Sequence, residues 1–550
     1  MTTLIPESAP FNEEQRAWLN GFLAGYMGVG ASAAEASGAA ALMAGGVPAL
    51  PGEAASVASD VEEDLSDAPW HDSGLQIEER MKLAEGKPLP HRMMAAMAQL
   101  DCGSCGYVCE SYSRAIASGE ETNITLCSPG GKETKQALKV LVKEIGVPTN
   151  GNGANGNGAI NKGANGTSTN GNQSDAAVEY SRKNPFQATL LASRKLNLEG
   201  SAKDTRHVEI DLAGSGLKYD VGDALGVCPV NCNDLVKQVL GRLGADPEMT
   251  VNCPAGKSES LGTALSASCC LKEPSDELLE LIIERSTDTA VLKQLGTYLD
   301  EGVPDGFDVL DCLEADPAAR LSATEFVETL SPLNPRLYSI ASSQRAVGDQ
   351  VHLTIGKVVY ERDGRTRKGV ASCMLGGDAE NGAPVNVFVQ PNHGGFTVPA
   401  SAETSMIMIG PGTGIAPFMA FLQERAATDA PGKNWLFFGD QREQTDFLYR
   451  DQLVEYQSKG LLTNLSTAFS RDGDAKVYVQ DRMLESAADL WKWIEEGAHV
   501  YVCGDASRMA ADVHKTLIQV AATQGGMSTE EATEFIDTLA KAQRYVRDVY

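Results

Sequence analysis

Four cysteines in one short stretch of the chain have the types and spacing of metal ligands. Cys102, Cys105 and Cys109 lie in the run Cys-Gly-Ser-Cys-Gly-Tyr-Val-Cys, and Cys127 stands directly before Ser-Pro-Gly-Gly. Three thiolates in one loop, with a distant fourth beside a proline, fit a 4Fe-4S cubane cluster. Four cysteines also suit a structural zinc ion, and the Cys-x-x-Cys spacing is common to both metals. The residues predict a four-cysteine metal site, and the redox motifs described next favour iron over zinc.

A glycine-rich segment, Gly-Pro-Gly-Thr-Gly-Ile-Ala-Pro-Phe, lies between a strand-like run and a helix-like run and contains Gly412, Thr413 and Gly414. Glycines let a backbone approach a pyrophosphate closely, and a helix N-terminus offers N–H groups to it. By itself such a segment is equally typical of a plain tight turn. Its meaning therefore depends on the residues that accompany it.

Basic, hydroxyl and aromatic residues supply that context further along the chain. Arg, Lys, Ser and Tyr side chains that converge at one strand end suit the dianionic 2′-phosphate and the adenine ring of NADP. A solvated charged loop is the alternative. The predicted NADP-binding residues are Ser470, Arg471, Lys476, Val477, Tyr478, Val479 and Gln480. Cys503 ends the following strand-like run, where it is placed to face a nicotinamide, although a lone cysteine there is more often a core thiol.

Three further runs could bind a flavin nucleotide. Arg-Leu-Tyr-Ser at 336–339 combines a cation for pyrophosphate, a ring that packs on another ring, and a hydroxyl. Gly-Val-Ala-Ser at 369–372 precedes a helix start, which is another place for a phosphate. Each run alone is weak evidence for a cofactor site, whereas the runs together predict an FAD site. Its residues are Arg336, Leu337, Tyr338, Ser339, Thr354, Ile355, Gly356, Tyr360, Gly369, Val370, Ala371 and Ser372.

The elements that must position these residues follow two patterns. Strand-like runs at 186–193, 206–212, 335–341 and 351–360 are interrupted by a helical insert at about 231–330. From Met406 onward, short β-branched strands alternate with amphipathic helices, which indicates a parallel, doubly wound sheet. The predicted fold is therefore a multidomain one, α/β plus β-barrel.

The N-terminal third has a different character. An apolar face within residues 11–30 predicts one helix or a bent pair of helices, and the Ala/Gly/Ser-rich residues 31–60 predict a tether. Residues 75–100 predict another helix, and the cysteine segment leads to a helix that ends near Ile145. Residues 148–180 are nearly all Asn, Gly, Ser, Thr and Ala and cannot bury apolar surface, so they predict a flexible linker and the clearest domain boundary.

Length and charge restrict the class of protein. A chain of 550 residues predicts about two to four domains. Its net charge of -28 makes it a poor candidate for binding nucleic acid or an anionic membrane. No signal peptide and no long apolar run are evident, so we expect a cytoplasmic protein without a membrane span. The 12 cysteines are then expected to be thiols or metal ligands rather than a disulfide framework.

In this order and spacing, the motifs of residues 183–550 resemble the FAD/NADPH half of the diflavin reductases. Among these the chain is most similar to the flavoprotein subunits of assimilatory NADPH–sulfite reductases, and the insert resembles that family's connecting domain. The resemblance implies a ferredoxin–NADP reductase-like architecture that binds FAD and NADPH. It implies that Ser339 lies near the flavin N5, that Asp512 joins the NADP site, and that Ser339, Cys503 and Asp548 surround hydride transfer. Tyr550 is similar to the terminal aromatic residue that stacks on the isoalloxazine.

The chain departs from this family at its N-terminus. No strand–helix alternation with a Ser/Thr-rich phosphate loop is evident in residues 1–180, so we expect no FMN. The cysteine stretch instead resembles the small 4Fe-4S module of electron-transport and corrinoid iron–sulfur proteins, with one residue fewer between Cys105 and Cys109 than is usual there. Residues 16–22 resemble the assembly segment of sulfite reductase flavoproteins.

These resemblances imply an electron path from NADPH to FAD to the cluster and then to an external acceptor. The expected acceptor is a sirohaem/iron–sulfur hemoprotein subunit bound through the N-terminal segment, with sulfite reduced to sulfide. Two alternatives stay open: a reductase for another acceptor, such as nitrate or nitrite reductase, and a non-catalytic scaffold that contains zinc. The expected domains are 1–60 (partner-binding helix and tether), 61–147 (4Fe-4S module), 148–180 (linker), 183–399 (FAD-binding) and 400–550 (NADP-binding).

Overall fold

A computed structural model of the chain describes residues 68–71, 75–99, 107, 109–119, 121, 124–127, 130–145 and 180–550, without residues 255, 393 and 507. All of these belong to one unit, residues 64–550. The predicted helix within 11–30, most of the predicted linker, Cys102 and Cys105 lie outside the described residues.

A six-stranded antiparallel sheet holds the first set of predicted cofactor residues. Its strand order is β6-β3-β10-β1-β2-β7, and a bridge between Ile340 and Leu353 joins its two edges. Alternate residues of each strand point inward, so Val208 and Ile210 of one strand pack against Val351 and Leu353 of another. This closed packing is the predicted β-barrel. Its strands are β1 (Phe186–Lys195), β2 (Thr205–Asp211), β3 (Ala224–Cys228), β6 (Arg336–Ser339), β7 (Gln350–Gly356) and β10 (Pro384–Gln390).

The predicted helical insert between β3 and β6 has a hydrophobic core of its own, built on leucines such as Leu265, Leu278 and Leu295. Its helix starts carry side-chain caps: Ser275 and Ser322 accept hydrogen bonds from N–H groups of the first turns that follow them. The insert contains β4 (Thr250–Asn252), β5 (Ser258–Ser260), a π-helix (Ala264–Ser268) and α5 (Asn233–Leu243), α6 (Leu261–Thr263), α7 (Asp276–Arg285), α8 (Thr289–Glu301), α9 (Val309–Ala315) and α10 (Ala323–Thr329).

Short elements connect β6 to the second sheet. The hairpin of β8 (Val359–Arg362) and β9 (Arg365–Lys368) leads into α12 (Val370–Cys373), which continues as a π-helix, Met374–Asp378. The arginines of this hairpin bind the insert, because Arg365 and Arg367 both form ion pairs with Asp308 and Asp311. The remaining short helix is α11 (Gln344–Val347).

A five-stranded, fully parallel sheet forms the C-terminal part in the order β13-β12-β11-β14-β15. Met406 and Met408 of β11 pack in one hydrophobic cluster, while Ile407 and Ile409 pack in another, so both faces of the sheet are covered by helices. This confirms the doubly wound pattern. The strands are β11 (Met406–Ile409), β12 (Asn434–Asp440), β13 (Asn464–Phe469), β14 (His499–Gly504) and β15 (Tyr545–Val549). The helices are α13 (Ala416–Ala427), α14 (Glu443–Asp446), α15 (Arg450–Ser458), α16 (Val479–Glu485), α17 (Ala487–Glu495), α18 (Met509–Gly525) and α19 (Thr529–Lys541).

The segment around the metal-ligand cysteines packs as a small helical cluster. Trp70, Met93, Tyr112 and Leu138 are fully or almost fully buried in it. Its helices are α1 (Ile77–Leu83), α2 (Leu89–Ala96), α3 (Cys109–Ser118) and α4 (Gly131–Ile145). The last of these ends where the sequence predicts. The single helix predicted for 75–100 is wrong, because Gly86 takes a left-handed conformation with φ of 75° and Pro88 then starts a second helix.

This cluster contacts the insert through charges. Lys135 and Lys139 lie one turn apart on α4, and both bind Asp276 in the first turn of α7, at 3.0 Å and 3.2 Å. Burial opposes ionisation of Asp276, but the two lysines together hold its pKa below the usual value. Exposed pairs of this kind contribute about 0–1 kcal/mol each. Among the described residues, no helix is both long and apolar enough to cross a membrane.

Candidate functional site

The two central strands of the parallel sheet end side by side. β11 is followed by a 3₁₀ turn, Gly412–Ile415, and the neighbouring β14 ends at Gly504. The strand order reverses between β11 and β14, which is where open α/β sheets bind ligands. The turn fits only a glycine at 414, because a Cβ there would lie 2.1 Å from the carbonyl oxygen of Cys503. The predicted glycine-rich turn therefore lies against the end of β14.

Three predicted catalytic side chains meet at this edge. The Ser339 hydroxyl donates a hydrogen bond to Oδ2 of Asp548 at 2.7 Å, and the Cys503 thiol approaches the same oxygen at 3.7 Å. Ser339 ends β6 of the barrel, whereas Cys503 and Asp548 are register partners on β14 and β15. The cluster therefore joins the two sheets.

The electrostatics of this cluster favour protonated groups. Burial raises the pKa of the Cys503 thiol well above its usual value, and the Asp548 carboxylate raises it further. Burial also raises the pKa of Asp548, although the hydrogen bonds from Ser339 and Cys503 oppose this rise. At neutral pH the thiol is an S–H donor and no nucleophile. The arrangement suits holding and orienting protons beside a reacting ring.

Tyr550 lies next to this cluster. Its backbone continues the sheet, because its N–H donates to the Gly504 carbonyl at 3.0 Å and its carbonyl accepts from Ala506. Its hydroxyl is 2.8 Å from the Thr413 hydroxyl of the glycine-rich turn. The side chain is 51% exposed. An aromatic ring is thus presented beside Ser339, Cys503 and Asp548.

The predicted FAD residues lie along the barrel edge that faces this cluster. Strand β6, which carries Arg336 to Ser339, is half-buried along its whole length. The Arg336 guanidinium binds the carbonyl of Asn334 at 2.8 Å, and burial raises the pKa of Tyr338 to about 12. One strand therefore carries Arg336, Tyr338 and Ser339. Of these three side chains, Ser339 is the one that forms a hydrogen bond with Asp548.

Strand β7 places its three predicted residues differently. The Thr354 hydroxyl is 2.7 Å from the Tyr449 hydroxyl, and Ile355 is buried in the barrel core. Gly356 faces the glycine-rich turn, since a Cβ there would lie 3.5 Å from the Thr413 methyl group. Of the three, Gly356 is the one that lies beside other predicted site residues.

The segment 369–372 forms a tight corner. A Cβ on Gly369 would lie 2.4 Å from the Ser372 hydroxyl and 2.9 Å from Cβ of Val358, and the Val358 N–H donates to that hydroxyl at 3.2 Å. Val370 and Ala371 begin α12 at this corner. Val358, Val359 and Tyr360 are each at least 41% exposed, so three consecutive apolar residues border the corner. An exposed apolar stretch beside a glycine corner suits the contact surface of a nucleotide.

The predicted NADP residues collect at the far edge of the parallel sheet. Backbone N–H groups of Ser470 and Arg471, directly after β13, donate to Asp440 and Gln441 at 2.9 Å and 2.8 Å. Lys476 and Tyr478 are exposed in the loop that follows, with Val477 half-buried and Val479 buried at the start of α16. Gln480 is 3.5 Å from Asp512 of α18. In the described part of the chain, the Arg471 and Lys476 side chains make no hydrogen bond or ion pair, so both cations are available to an anion.

The sequence interpretation missed two residues of this region. Lys203 forms an ion pair with Asp440, whose pKa is raised by burial while Lys203 opposes that rise. The same ammonium group lies 3.9 Å from the position of a Cβ on Gly412. A cation therefore stands at the glycine-rich turn. Lys203 and Asp440 are 237 positions apart, so no local spacing in the sequence could have indicated the pair.

Two of the four predicted metal ligands lie in the described part of the chain. Cys109 begins α3 and is buried, and Cys127 packs against the same hydrophobic cluster. A Cβ on Gly130 would lie 3.0 Å from Cys127 Sγ, so Gly130 lies close to this sulfur. These two thiols share one small core, which suits a metal ligand set.

Comparisons with known proteins agree with both sheets. Residues 178–374 match the family described as FAD binding domain, and residues 408–515 match the family described as oxidoreductase NAD-binding domain. The chain therefore contains FAD-binding and NAD-binding oxidoreductase domains, as the motifs predict.

Two similar proteins carry the same name. The chain is 47% identical over 371 residues to the sulfite reductase (NADPH) flavoprotein alpha-component of Vibrio vulnificus (strain CMCP6), a match that covers 68% of this chain and 60% of that protein. It is 45% identical over 376 residues to the component of that name from Bacillus subtilis (strain 168), covering 68% and 62%. The chain thus spans about three-fifths of the length of these relatives.

Proposed function

We propose that this protein is an NADPH-dependent flavoprotein reductase that passes electrons from NADPH through FAD and a 4Fe-4S cluster to a sirohaem-containing hemoprotein subunit, which reduces sulfite to sulfide. The observation that carries the proposal is the meeting of Ser339, Cys503 and Asp548 between the two sheets, with the Tyr550 ring beside them. The relatives named above support the choice of sulfite as the final acceptor.

The residues of this cluster have distinct tasks in the proposal. FAD, when bound, would accept one hydride, which carries two electrons, and would release those electrons one at a time. Asp548 fixes the Ser339 hydroxyl and the Cys503 thiol in one orientation through its shared Oδ2 atom. Both side chains would then lie at fixed positions beside a bound flavin ring, which is the positioning that hydride transfer requires. Tyr550 covers the site and excludes water until nicotinamide displaces it.

The binding residues divide between the two sheets. Arg336 to Ser339, Gly356 and the corner 369–372 would hold FAD on the barrel side, together with Thr354, Ile355 and Tyr360. The turn 412–414 would hold the NADPH pyrophosphate, and Ser470, Arg471, Lys476, Tyr478, Gln480 and Asp512 its adenosine phosphate. The Lys203 ammonium group, which is paired with Asp440, lies close to this turn and would donate a hydrogen bond to a pyrophosphate oxygen there.

The cysteine module replaces an FMN domain in this proposal. Cys102, Cys105, Cys109 and Cys127 would hold the cluster, which supplies one-electron transfer. A linker of the composition of residues 148–180 has a root-mean-square span on the order of 30 Å, so the module can stay tethered and still reach a partner. Residues 1–60 would bind the hemoprotein subunit, and the protein would act in the cytoplasm.

The cofactor content of the purified protein tests this assignment. We expect FAD, iron and acid-labile sulfide, with essentially no FMN, because the barrel carries the predicted FAD residues and the sequence of residues 1–180 shows no flavodoxin-like pattern. Acid extraction with chromatography of the flavins, and iron and sulfide assays, measure this. FMN in a 1:1 ratio to the chain, or zinc in place of iron, would contradict it.

The electron acceptor is tested by capture and reconstitution. A pull-down with the native protein should recover a sirohaem protein, and the mixture should form sulfide from sulfite and NADPH. If a nitrate or nitrite reductase were recovered and no sulfide formed, the proposed acceptor would be wrong. The assignment as an NADPH-dependent reductase would be unaffected.

Removal of Tyr550 should shift cofactor preference toward NADH and slow the release of NADP⁺. The ring must be displaced in every turnover, at a cost of about 1 kcal/mol in stacking. NADPH offsets that cost through phosphate contacts, whereas NADH does not. Stopped-flow flavin reduction with each cofactor, in proteins with and without Tyr550, measures the preference. An unchanged NADPH/NADH ratio would show that Tyr550 does not gate the flavin.

A further inference from the structure

A group of potential metal ligands lies on the barrel, away from the cysteines. His207 and Glu209 are two positions apart on β2 and share one face of the sheet, and His352 lies opposite Glu209 on β7. The inward positions between them, Val208 and Leu353, fill the barrel core. One ring nitrogen of each histidine and one carboxylate oxygen of Glu209 all lie within 4.8 Å of one another.

The separations suit a tetrahedral metal ion. His207 Nε2 lies 3.4 Å from Glu209 Oε1, which is long for a hydrogen bond. Two ligand atoms at about 2.1 Å from a tetrahedral ion are about 3.4 Å apart, so this distance matches one edge of such a site. Two neutral imidazoles and one carboxylate form a donor set that zinc accepts, with water in the fourth position. Glu209 is 31% exposed, so an ion can enter from solvent.

The second nitrogen of His207 is already held. His207 Nδ1 is 2.9 Å from the Tyr449 hydroxyl, which is also 2.7 Å from the Thr354 hydroxyl. Such a partner on the remote nitrogen fixes the orientation of a metal-bound imidazole. Tyr449 takes a left-handed backbone conformation, with φ of 56°, directly before α15. Strain of this kind is found at functional sites, where the surroundings hold a side chain in place.

One nearby charge opposes a cation. Arg194 of β1 lies opposite His207 in the sheet and is exposed. Its charge is screened by solvent, whereas Glu209 is in direct contact with the site. The site therefore has one carboxylate nearby and one exposed guanidinium. We expect its affinity for a metal cation to be lower than that of a site built only from anionic ligands.

We propose that His207, Glu209 and His352 bind a divalent transition-metal ion of the zinc class on the outer face of the barrel, with Tyr449 as the outer partner of His207. Because Tyr449 belongs to the segment that follows β12, the site stands where the two sheets meet. The bound ion would stabilise this junction by mass action.

Zinc binding to the full-length protein, loaded with FAD and cluster, tests the proposal. The probe is Zn²⁺ alone in equilibrium dialysis, with zinc counted per FAD. Wild type should bind one equivalent more than His352→Gln or Glu209→Gln, and His499→Gln, which alters another partly buried histidine in the other sheet, should match wild type. Tyr449→Phe should keep the site but weaken zinc binding roughly 10- to 100-fold.

A spectroscopic readout identifies the ligands. Cu²⁺ added to the oxidised protein should show two coupled imidazole nitrogens in electron paramagnetic resonance, and one in His352→Gln. FAD content and the melting temperature without added metal show whether each variant is folded. Equal zinc binding by wild type, both Gln variants and Tyr449→Phe would overturn the proposal. His207 and His352 would then serve only their hydrogen bonds to Tyr449 and Gln350.

Discussion

Cys105→Ser should remove iron and acid-labile sulfide from the protein and abolish reduction of the proposed hemoprotein partner, while reduction of ferricyanide by NADPH should stay largely intact. The expected reason is the division of labour between the two halves of the chain. Ferricyanide is expected to take electrons from FAD directly, whereas the proposed natural acceptor would require the cluster. Absorbance, iron content and the two activities, measured on the same preparation, check this.

A matched substitution separates cluster loss from general thiol loss. Cys228, half-buried at the end of β3, has a pKa raised by burial and is no predicted ligand, so Cys228→Ser should retain iron and both activities. If Cys105→Ser lost both activities equally, the module would be structural, as a zinc site would be.

Arg471→Ala should raise the KM for NADPH by roughly 10- to 100-fold and leave the use of NADH nearly unchanged. One charge-assisted hydrogen bond to a phosphate is worth about 1.5–3 kcal/mol, which corresponds to that range. The side chain is exposed and makes no hydrogen bond or ion pair in the part of the chain that the structure describes, so its removal should cost little stability. Steady-state kinetics with both cofactors measure the effect.

The control substitution removes the same positive charge at a different position of the domain. Arg450, an exposed arginine at the start of α15 in the same sheet region, should be replaceable by Ala without an effect on either KM. An unchanged KM for NADPH in Arg471→Ala would mean that the 2′-phosphate binds elsewhere. A parallel loss with NADH would instead indicate damage to the adenine site.

The parallel sheet could be predicted from the sequence because each strand carries its own signal. Residues 406–409 are apolar at every position, as a strand covered on both faces requires, and a glycine turn and an amphipathic run follow directly. Four of the six barrel strands, β1, β2, β6 and β7, were predicted from strand-like runs, whereas β3 and β10 were not. These patterns depend only on residues that are close in the sequence, so they predict secondary structure without knowledge of distant contacts.

Contacts between distant segments could not be predicted from spacing. The Ser339–Asp548 hydrogen bond joins residues 209 positions apart, and only the resemblance to a family placed them together. The final strand, β15, was expected only as a terminal motif, because Tyr-Val-Arg-Asp-Val contains two charges that weaken its strand pattern. Pairing beside β14 fixes Asp548 opposite Cys503, and this register is set by the sheet as a whole.

The close approach at Gly414 decides where cofactor preference can be redesigned. A methyl group there would meet the Cys503 carbonyl oxygen at 2.1 Å, so every substitution at that position forces the two central strands apart. Arg471 and Lys476, by contrast, stand in an exposed loop and can be exchanged with little strain. An engineer who wants an NADH-dependent form should therefore build a library on the loop and leave the turn untouched. By the same reasoning, we expect natural substitutions that change the cofactor preference to occur in the loop and not in the turn.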